Sequence, residues 1–476
     1  MKSVKVNYIY NLIYKLLLIL LPLITIPYTS RVLNPDGIGI YNYTNSIVCV
    51  FVLIASLGTS LYAQKEIAYA KDDINLRSNI FKSIFTIRFI MSILITLPYI
   101  LFIIFSKQYK AMYIVQYIFV IANLIDISWL LQGIENFKDI ALKGIFVKIL
   151  SVLCIFLFVK KAEDLLLYTL IMSICGLINS MLLWPSIKGS IKNVKITKED
   201  IYKHIKPVFM LALPVMAIYV YTYVDKVFLG ILSSEEEVGF YSQSENIVKA
   251  SMTVITALGA VLLPRISNLL SMNKMNDVKI QLTKAIDFVI MIGLPMVLGF
   301  MVTSSLFVPW FLGDDYASCV FLLQLLSPLI MIIGLASVTG QAVLIPLNKQ
   351  KIYTLSICIG AILNVCVNIL LIPKYSSIGA SIGTLIAETV VTIIQQYYVF
   401  KLVGIKIKDL VKGFIKPIIS VTIMTILLIY IKKYFNPTVL DTLIYIGIGG
   451  ITYFAMLFIL KDNNIKNYIN MSKKKE

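Results

Sequence analysis

Lysine, arginine and carboxylate side chains stand inside the apolar runs of this sequence, where each would lie at membrane depth. Glu245 and Lys249 are four residues apart, and with Ser242, Thr253 and Thr256 they recur at steps of three and four, so the five share one helical face. Tyr219, Thr222, Tyr223 and Lys226 fall on one side of another run, with Asp225 at its margin, and Asn11, Lys15, Pro22, Thr25 and Thr29 line a third. A charge at such depth is costly unless it faces protein or a water-filled cavity, which makes each of these residues a candidate for function. Lysine can hold a phosphate or diphosphate as a point charge. Lys15, Arg88, Lys148, Lys226 and Lys249 would together make a cationic lumen, with Tyr223 beside Lys226 and Arg31 in the loop after the first run.

Each position also has a plainer reading. Glu245 and Lys249 form an i, i+4 ion pair in a helix interface equally well. Lys15 and Lys148 fall within about two turns of one membrane face and Lys226 near the other, so all three can snorkel. Asp126 reads either as a proton or sodium site or as the partner of a buried cation, and Glu388 raises the same question. Asn364 and Asn368 are expected to hydrogen-bond between helices. His204, the single histidine, is expected to be solvated.

The elements that must position these residues follow from hydropathy. Of 476 residues, 59% are apolar and 14% charged, and the mean hydropathy is +0.86, outside the range of soluble globular domains of this length. Asking each span for about 20 apolar residues places six in the first half, at 7–30, 40–63, 79–105, 111–131, 143–159 and 165–184. Six more fall at 208–232, 238–263, 286–312, 317–345, 354–372 and 379–400, and a last pair at 415–431 and 438–460. The expected fold is an all-α integral membrane protein of about 14 transmembrane helices, with a six-helix lobe at 1–184, a basic connector at 185–207, a second six-helix lobe at 208–400, and two further helices with a basic tail at 401–476. The first span is too long for a signal-peptide core and has no A-x-A cleavage site, so it is expected to be retained.

Charge orients the array. The connector holds Lys188, Lys192, Lys195, Lys198, Lys203 and Lys206 against only Glu199 and Asp200, which expects it on the cytoplasmic side. With that assignment the cytoplasmic segments, both termini included, hold roughly 29 Lys and Arg and the outward loops about 8. The outward loops at 233–237 (SSEEE) and 313–316 (GDDY) are acidic.

A repeat crosses the connector. Residues 38–48 (IGIYNYTNSIV) align without gaps on 238–248 (VGFYSQSENIV), an offset of 200, with Gly39/Gly239, Tyr41/Tyr241, Ile47/Ile247 and Val48/Val248 identical. Each copy opens the second span of its half. Six spans separate the copies, so they run in the same direction and predict two pseudo-symmetric bundles around a central cavity. The counterparts of the Glu245 stripe are Asn42, Asn45, Cys49, Leu53 and Ser56.

Several function classes drop out. There is no glycine-rich phosphate loop, metal-ligand spacing, paired aqueous carboxylates or nucleophile elbow, so neither catalysis, a metal nor a cofactor is expected. Every outward loop is about ten residues or shorter, which disfavours a glycan polymerase or ligase. The net charge of +18 is spread over loops with no basic domain of interleaved aromatics, which argues against nucleic acid. The six cysteines lie in apolar runs and read as small buried residues.

Six stretches carry a family resemblance: PYTSRVLNPDGIGIYNYTNSIV (27–48), ASLGTSLYAQKEIA (55–68), DISWLLQGIENFKDI (126–140), LPVMAIYVYTYVDKVFLG (213–230), EVGFYSQSENIVK (237–249) and LLPRIS (262–267). The chain resembles the bacterial lipid-linked oligosaccharide flippases, which export O-antigen and capsule repeat units, of the multidrug, oligosaccharidyl-lipid and polysaccharide exporter superfamily. The DxSWxxQGxExF pattern from Asp126 to Phe137 is the most specific element. The resemblance implies two lobes enclosing a cationic cavity in the bacterial plasma membrane, alternating access, and an oligosaccharide on a polyprenyl diphosphate as cargo. It further implies coupling to a proton or sodium gradient, for which Asp126, Asp225, Glu245 and Glu388 are the candidates, and association with a polymerase and glycosyltransferases. A drug antiporter of the same superfamily is the alternative, against which the excess of lysine argues. Asn34 departs from the family pattern, which has glycine in RVLGP.

Overall fold

A backbone inside hydrocarbon must satisfy its own hydrogen bonds, and a chain this apolar answers by folding into helices. The computed structural model describes residues 2–462, and side chains for all of these but 2–20, 211, 213, 214, 220, 221, 260, 261 and 407–412. No strand occurs among them. The protein is an all-α membrane protein, with eleven helices among the described residues long and apolar enough to cross a bilayer. Two of these, α1 (Lys2–Ser56) and α13 (Gln350–Val403), each hold two expected spans around an internal break. The helix α8 (Lys198–Leu232) covers one more, which accounts for the fourteen spans read from hydropathy.

Both breaks are conformational exceptions. Asn34 adopts φ 57, ψ 172 just before Pro35, a region that favours glycine, so this asparagine takes a glycine's place with strain. Ser376 adopts φ 48, ψ −127 at the break in α13.

The chain divides into two compact units, Met1–Gly239 and Phe240–Glu476. The division falls one span beyond the connector, because α8 packs on α1 and on α3 (Ile74–Phe105). The first unit also contains α2 (Thr59–Tyr69), α4 (Lys110–Ile125), α5 (Ser128–Gly133), α6 (Phe137–Phe158) and α7 (Leu165–Leu183), with the first residues of α9 (Glu235–Ser271). Its connector lies along the start of α3: Arg77 Nε donates to Ser190 O at 2.9 Å, Lys82 Nζ to Val194 O at 2.7 Å, and Lys192 N to Ser78 Oγ at 2.8 Å. A capping box starts α8, in which Thr197 Oγ1 accepts from Asp200 N and the Asp200 carboxylate accepts from Thr197 N. Lys203, followed by the cap hydrogen bonds, holds the Asp200 carboxyl far below its ordinary value.

His204 is not solvated as expected. Its ring is only 4% exposed, and Nδ1 shares a 2.8 Å hydrogen bond with Tyr62 OH of α2. The polar composition of the connector concealed that the start of α8 packs under α2.

In the second unit the remaining helices are α10 (Met275–Phe311), α11 (Ser318–Leu326), α12 (Leu329–Ala336), α14 (Ile407–Ile431) and α15 (Val439–Ile459). Between α12 and α13 runs a π-helical turn, Ser337–Leu344, where Gly340 leaves room for the Gln395 amide of α13. The last two helices seat on α10: Trp310 Nε1 donates to Thr442 Oγ1 at 2.8 Å and Tyr453 OH to Met291 O at 2.7 Å. A buried Trp or Tyr finds a partner for its polar end in this way.

Candidate substrate-binding faces

In the first unit the polar stripe expected on the second span faces α8. Cys49 of α1 is hydrogen-bonded to the Tyr223 side chain and lies within reach of the Lys226 charge. Tyr219 and Tyr223 stack one turn apart on α8, with ring centroids 5.5 Å apart. Tyr43 lies flat over Gly230, where no side chain would leave it room. Asn42 and Asn45 are half-buried on the same stripe as Cys49. Lys226 is 8% exposed and Asp225 1%. This face offers a cation, stacked phenols and amide groups side by side, which suits a phosphate and an attached sugar.

Arg88 is turned into the interior of the first unit. It is 1% exposed; Nη1 donates to Ser60 Oγ at 3.3 Å, Nη2 donates to Asn123 Oδ1 at 2.5 Å and lies 3.9 Å from the Asp126 carboxylate. Of the two readings of Asp126, the geometry is that of a buried cation's partner. Asp126 also terminates α4: Oδ1 accepts from Ser128 N at 3.0 Å, Oδ2 from Ser128 Oγ at 2.9 Å, and its carbonyl from Trp129 Nε1 at 3.0 Å. Trp184 Nε1 donates to the neighbouring Ile125 carbonyl at 2.9 Å. The Asp-x-Ser-Trp run therefore closes a helix break inside the membrane, each residue type supplying a donor or acceptor that the interrupted backbone needs.

Lys148 stands at the middle of α6 rather than near its end, because the helix starts at Phe137, before the expected span. It is half-buried and faces Cys175 of α7. Lys15 lies outside the residues whose side chains are described, and Arg31 is exposed beside the α1 break.

In the second unit Glu245 and Lys249 form the i, i+4 ion pair, Nζ to Oε1 2.6 Å, with Glu245 7% and Lys249 44% exposed. Ser242 is buried on the same stripe and Thr253 and Thr256 are half-buried. Tyr241 OH pairs with Thr384 Oγ1 at 3.0 Å. Asn368 Nδ2 donates to Asn364 Oδ1 at 3.2 Å, and Gly383 abuts the Asn368 side-chain carbonyl oxygen. Glu388 is buried near Tyr353. No group of three or more candidate ligands that could hold a metal occurs among the described residues.

Sequence reasoning did not find the Arg88–Asn123 or Tyr62–His204 contacts. The one available signal for the first was the need of a membrane-depth arginine for several acceptors.

Residues 4–270, more than half of the chain, match the family described as "Polysaccharide biosynthesis protein". The chain belongs to that family. Among its relatives, a "Putative O-antigen transporter" of Escherichia coli K12 is 26% identical over 403 residues, covering 83% of this chain and 97% of the relative. Among solved structures, "Lipid II flippase MurJ, inward closed conformation" superposes with a TM-score of 0.75 at 17% identity, covering 97% of this chain and 99% of that one. A multidrug resistance MATE family transporter of the MOP superfamily, in an inward-facing conformation, gives 0.60 at 14% identity over 80% of this chain and 97% of its own. The chain thus shares the fold of these two solved transporters.

Proposed function

We propose that the protein moves polyprenyl-diphosphate-linked oligosaccharides from the cytoplasmic to the outer leaflet by alternating access, with its connector and both ends in the cytoplasm. The observation that carries this reading is the α8 face, where Lys226 lies beside Tyr223 and opposite the polar stripe of α1. Lysine attracts the diphosphate as a point charge, and the phenols and amides bind sugar hydroxyls and ring faces. Lys249 and Lys148 add cationic positions in the second and first units, and Arg31 stands exposed at the outward break. A cationic drug would be repelled by the same residues. The family match and the O-antigen transporter relative support the cargo class. Asp225, Glu245 and Glu388, all buried, are the groups through which an ion gradient would act, while Asp126 is occupied with Arg88 and the helix break.

The test is complementation of a deletion strain by Lys226→Ala, Lys148→Ala and Lys249→Ala at matched protein levels. Loss of a charge-assisted contact, about 1.5–3 kcal/mol, lowers cargo affinity roughly 10- to 100-fold. Surface polysaccharide should fall while lipid-linked units accumulate inside. Full restoration by all three variants refutes the proposal, and accumulation of single lipid-linked units outside the membrane would assign the polymerase reading instead.

A further inference from the structure

The repeat copies meet at their first identical residue. A Cβ on Gly39 would overlap the Glu235 carbonyl oxygen and lie 3.1 Å from Gly239 N, and a Cβ on Gly239 would overlap the Pro35 carbonyl oxygen. The contact is reciprocal: at the offset of 200, Gly39 corresponds to Gly239 and Pro35 to Glu235, and each glycine presses on the other copy's residue. All four lie within the first unit. The same offset relates Asp36 to Glu236, both exposed, and these two carboxylates act directly on one another.

We propose that residues 35–39 of α1 and 235–239 of α9 form a proton-sensitive latch at the outward end, closed by the Gly39–Gly239 contact and loosened when Glu236 loses its proton beside Asp36. Two backbones approach this closely only where neither residue has a side chain. Helix ends held so tightly hold the carboxylates one turn away close as well, and like charges at that range repel.

Acidic and phenolic groups stand around the pair. Glu236 faces Asp36 from α1 and Glu237 on its own helix; Glu235 accepts from Tyr109 OH at 2.8 Å and faces Tyr43. The cations on these elements near this end are Arg31 and Lys110. Partial burial, then Asp36, then Glu237, raise the Glu236 carboxyl above its ordinary value. The closed contact therefore binds protons more tightly than the separated ends. It is strengthened as outside pH falls and lost as pH rises through that raised value. An acid exterior would close the outward end behind a released cargo.

This inference takes its orientation from the proposed function, but the reporter needs no cargo. In a chain with Cys154, Cys175, Cys319, Cys358 and Cys366 changed to serine, Cys49 remains, about 20 Å along α1 from Asp36. Its labelling by a membrane-impermeant maleimide applied outside reads opening. Gly39→Val should speed labelling about tenfold or more, since a branched side chain there cannot coexist with the Glu235 carbonyl. As pH rises from the ordinary carboxylate range at about 4.3 toward neutral, labelling should rise about two- to fivefold beyond the change of a free thiol, the scale of a solvent-screened pair. The double variant Asp36→Asn/Glu236→Gln should lose that excess. A Gly39→Val protein that elutes and melts like the parent yet labels at the parent rate overturns the latch, as does an excess that persists in the double variant. Should Gly39→Val not fold, Asp36→Cys/Glu236→Cys decides: an external oxidant should cross-link the pair and protect Cys49, and labelling unaffected by the cross-link, or no cross-link, overturns the proposal. Failure of export in the lysine variants would leave all of these outcomes unchanged.

Discussion

Asp126→Asn should destabilise the first unit by about 2 kcal/mol. At 3.9 Å the Arg88–Asp126 attraction is about 4 kcal/mol for an effective dielectric near 20. Asp126 is 25% exposed, and Asn123 also accepts from Arg88, so roughly half of that figure is a reasonable net loss. The amide retains an oxygen for Ser128 N, so the helix break itself is preserved. Arg88→Met removes the buried cation together with its desolvation cost and should lose less, about 1 kcal/mol. With no guanidinium left to strand, adding Asp126→Asn to Arg88→Met should cost little more, giving a coupling of about 1 kcal/mol or greater. The assay is denaturant unfolding in detergent followed by tryptophan fluorescence. Two of the three tryptophans, Trp129 and Trp184, hydrogen-bond to the carbonyls of Asp126 and Ile125 and report this site. Single effects that add within about 0.5 kcal/mol would refute the pairing.

Three further outcomes are expected. Asn34→Gly should raise stability by about 1 kcal/mol, the strain of an asparagine at φ 57, ψ 172 less the chain entropy of glycine, with an unchanged midpoint refuting it. Burial, then Lys203, hold the His204 ring below its ordinary value, so its contribution is intact above the unfolded value near 6.5 and declines as pH falls through the folded one. Stability measured against pH should drop over that window in the parent and flatten in His204→Phe, and parallel curves would contradict the burial. Glu245→Gln should change stability by less than about 1 kcal/mol, because its partner Lys249 is 44% exposed, yet export should fall; a large melting shift with normal export would make the pair structural.

Particular residues show how far the sequence reaches. The span boundaries followed from hydropathy because the cost of a polar backbone in hydrocarbon is local to each segment, and α3, α7 and α15 begin or end within a few residues of expectation. The stripe of Ser242, Glu245 and Lys249 followed from helical period, and an ion pair joins the last two. The match of Gly39 with Gly239 was legible as an offset in the alignment.

That these two glycines touch was not legible, nor that Arg88 turns toward Asn123 and Asp126, that His204 lies under Tyr62, or that Cys49 meets Tyr223. Amino-acid order by itself determined which segments enter the membrane, which residues share a helical face and where the chain repeats. Only tertiary structure decided which faces meet, because that choice depends on packing between segments up to 200 residues apart, and neither hydropathy nor period carries information over such a separation.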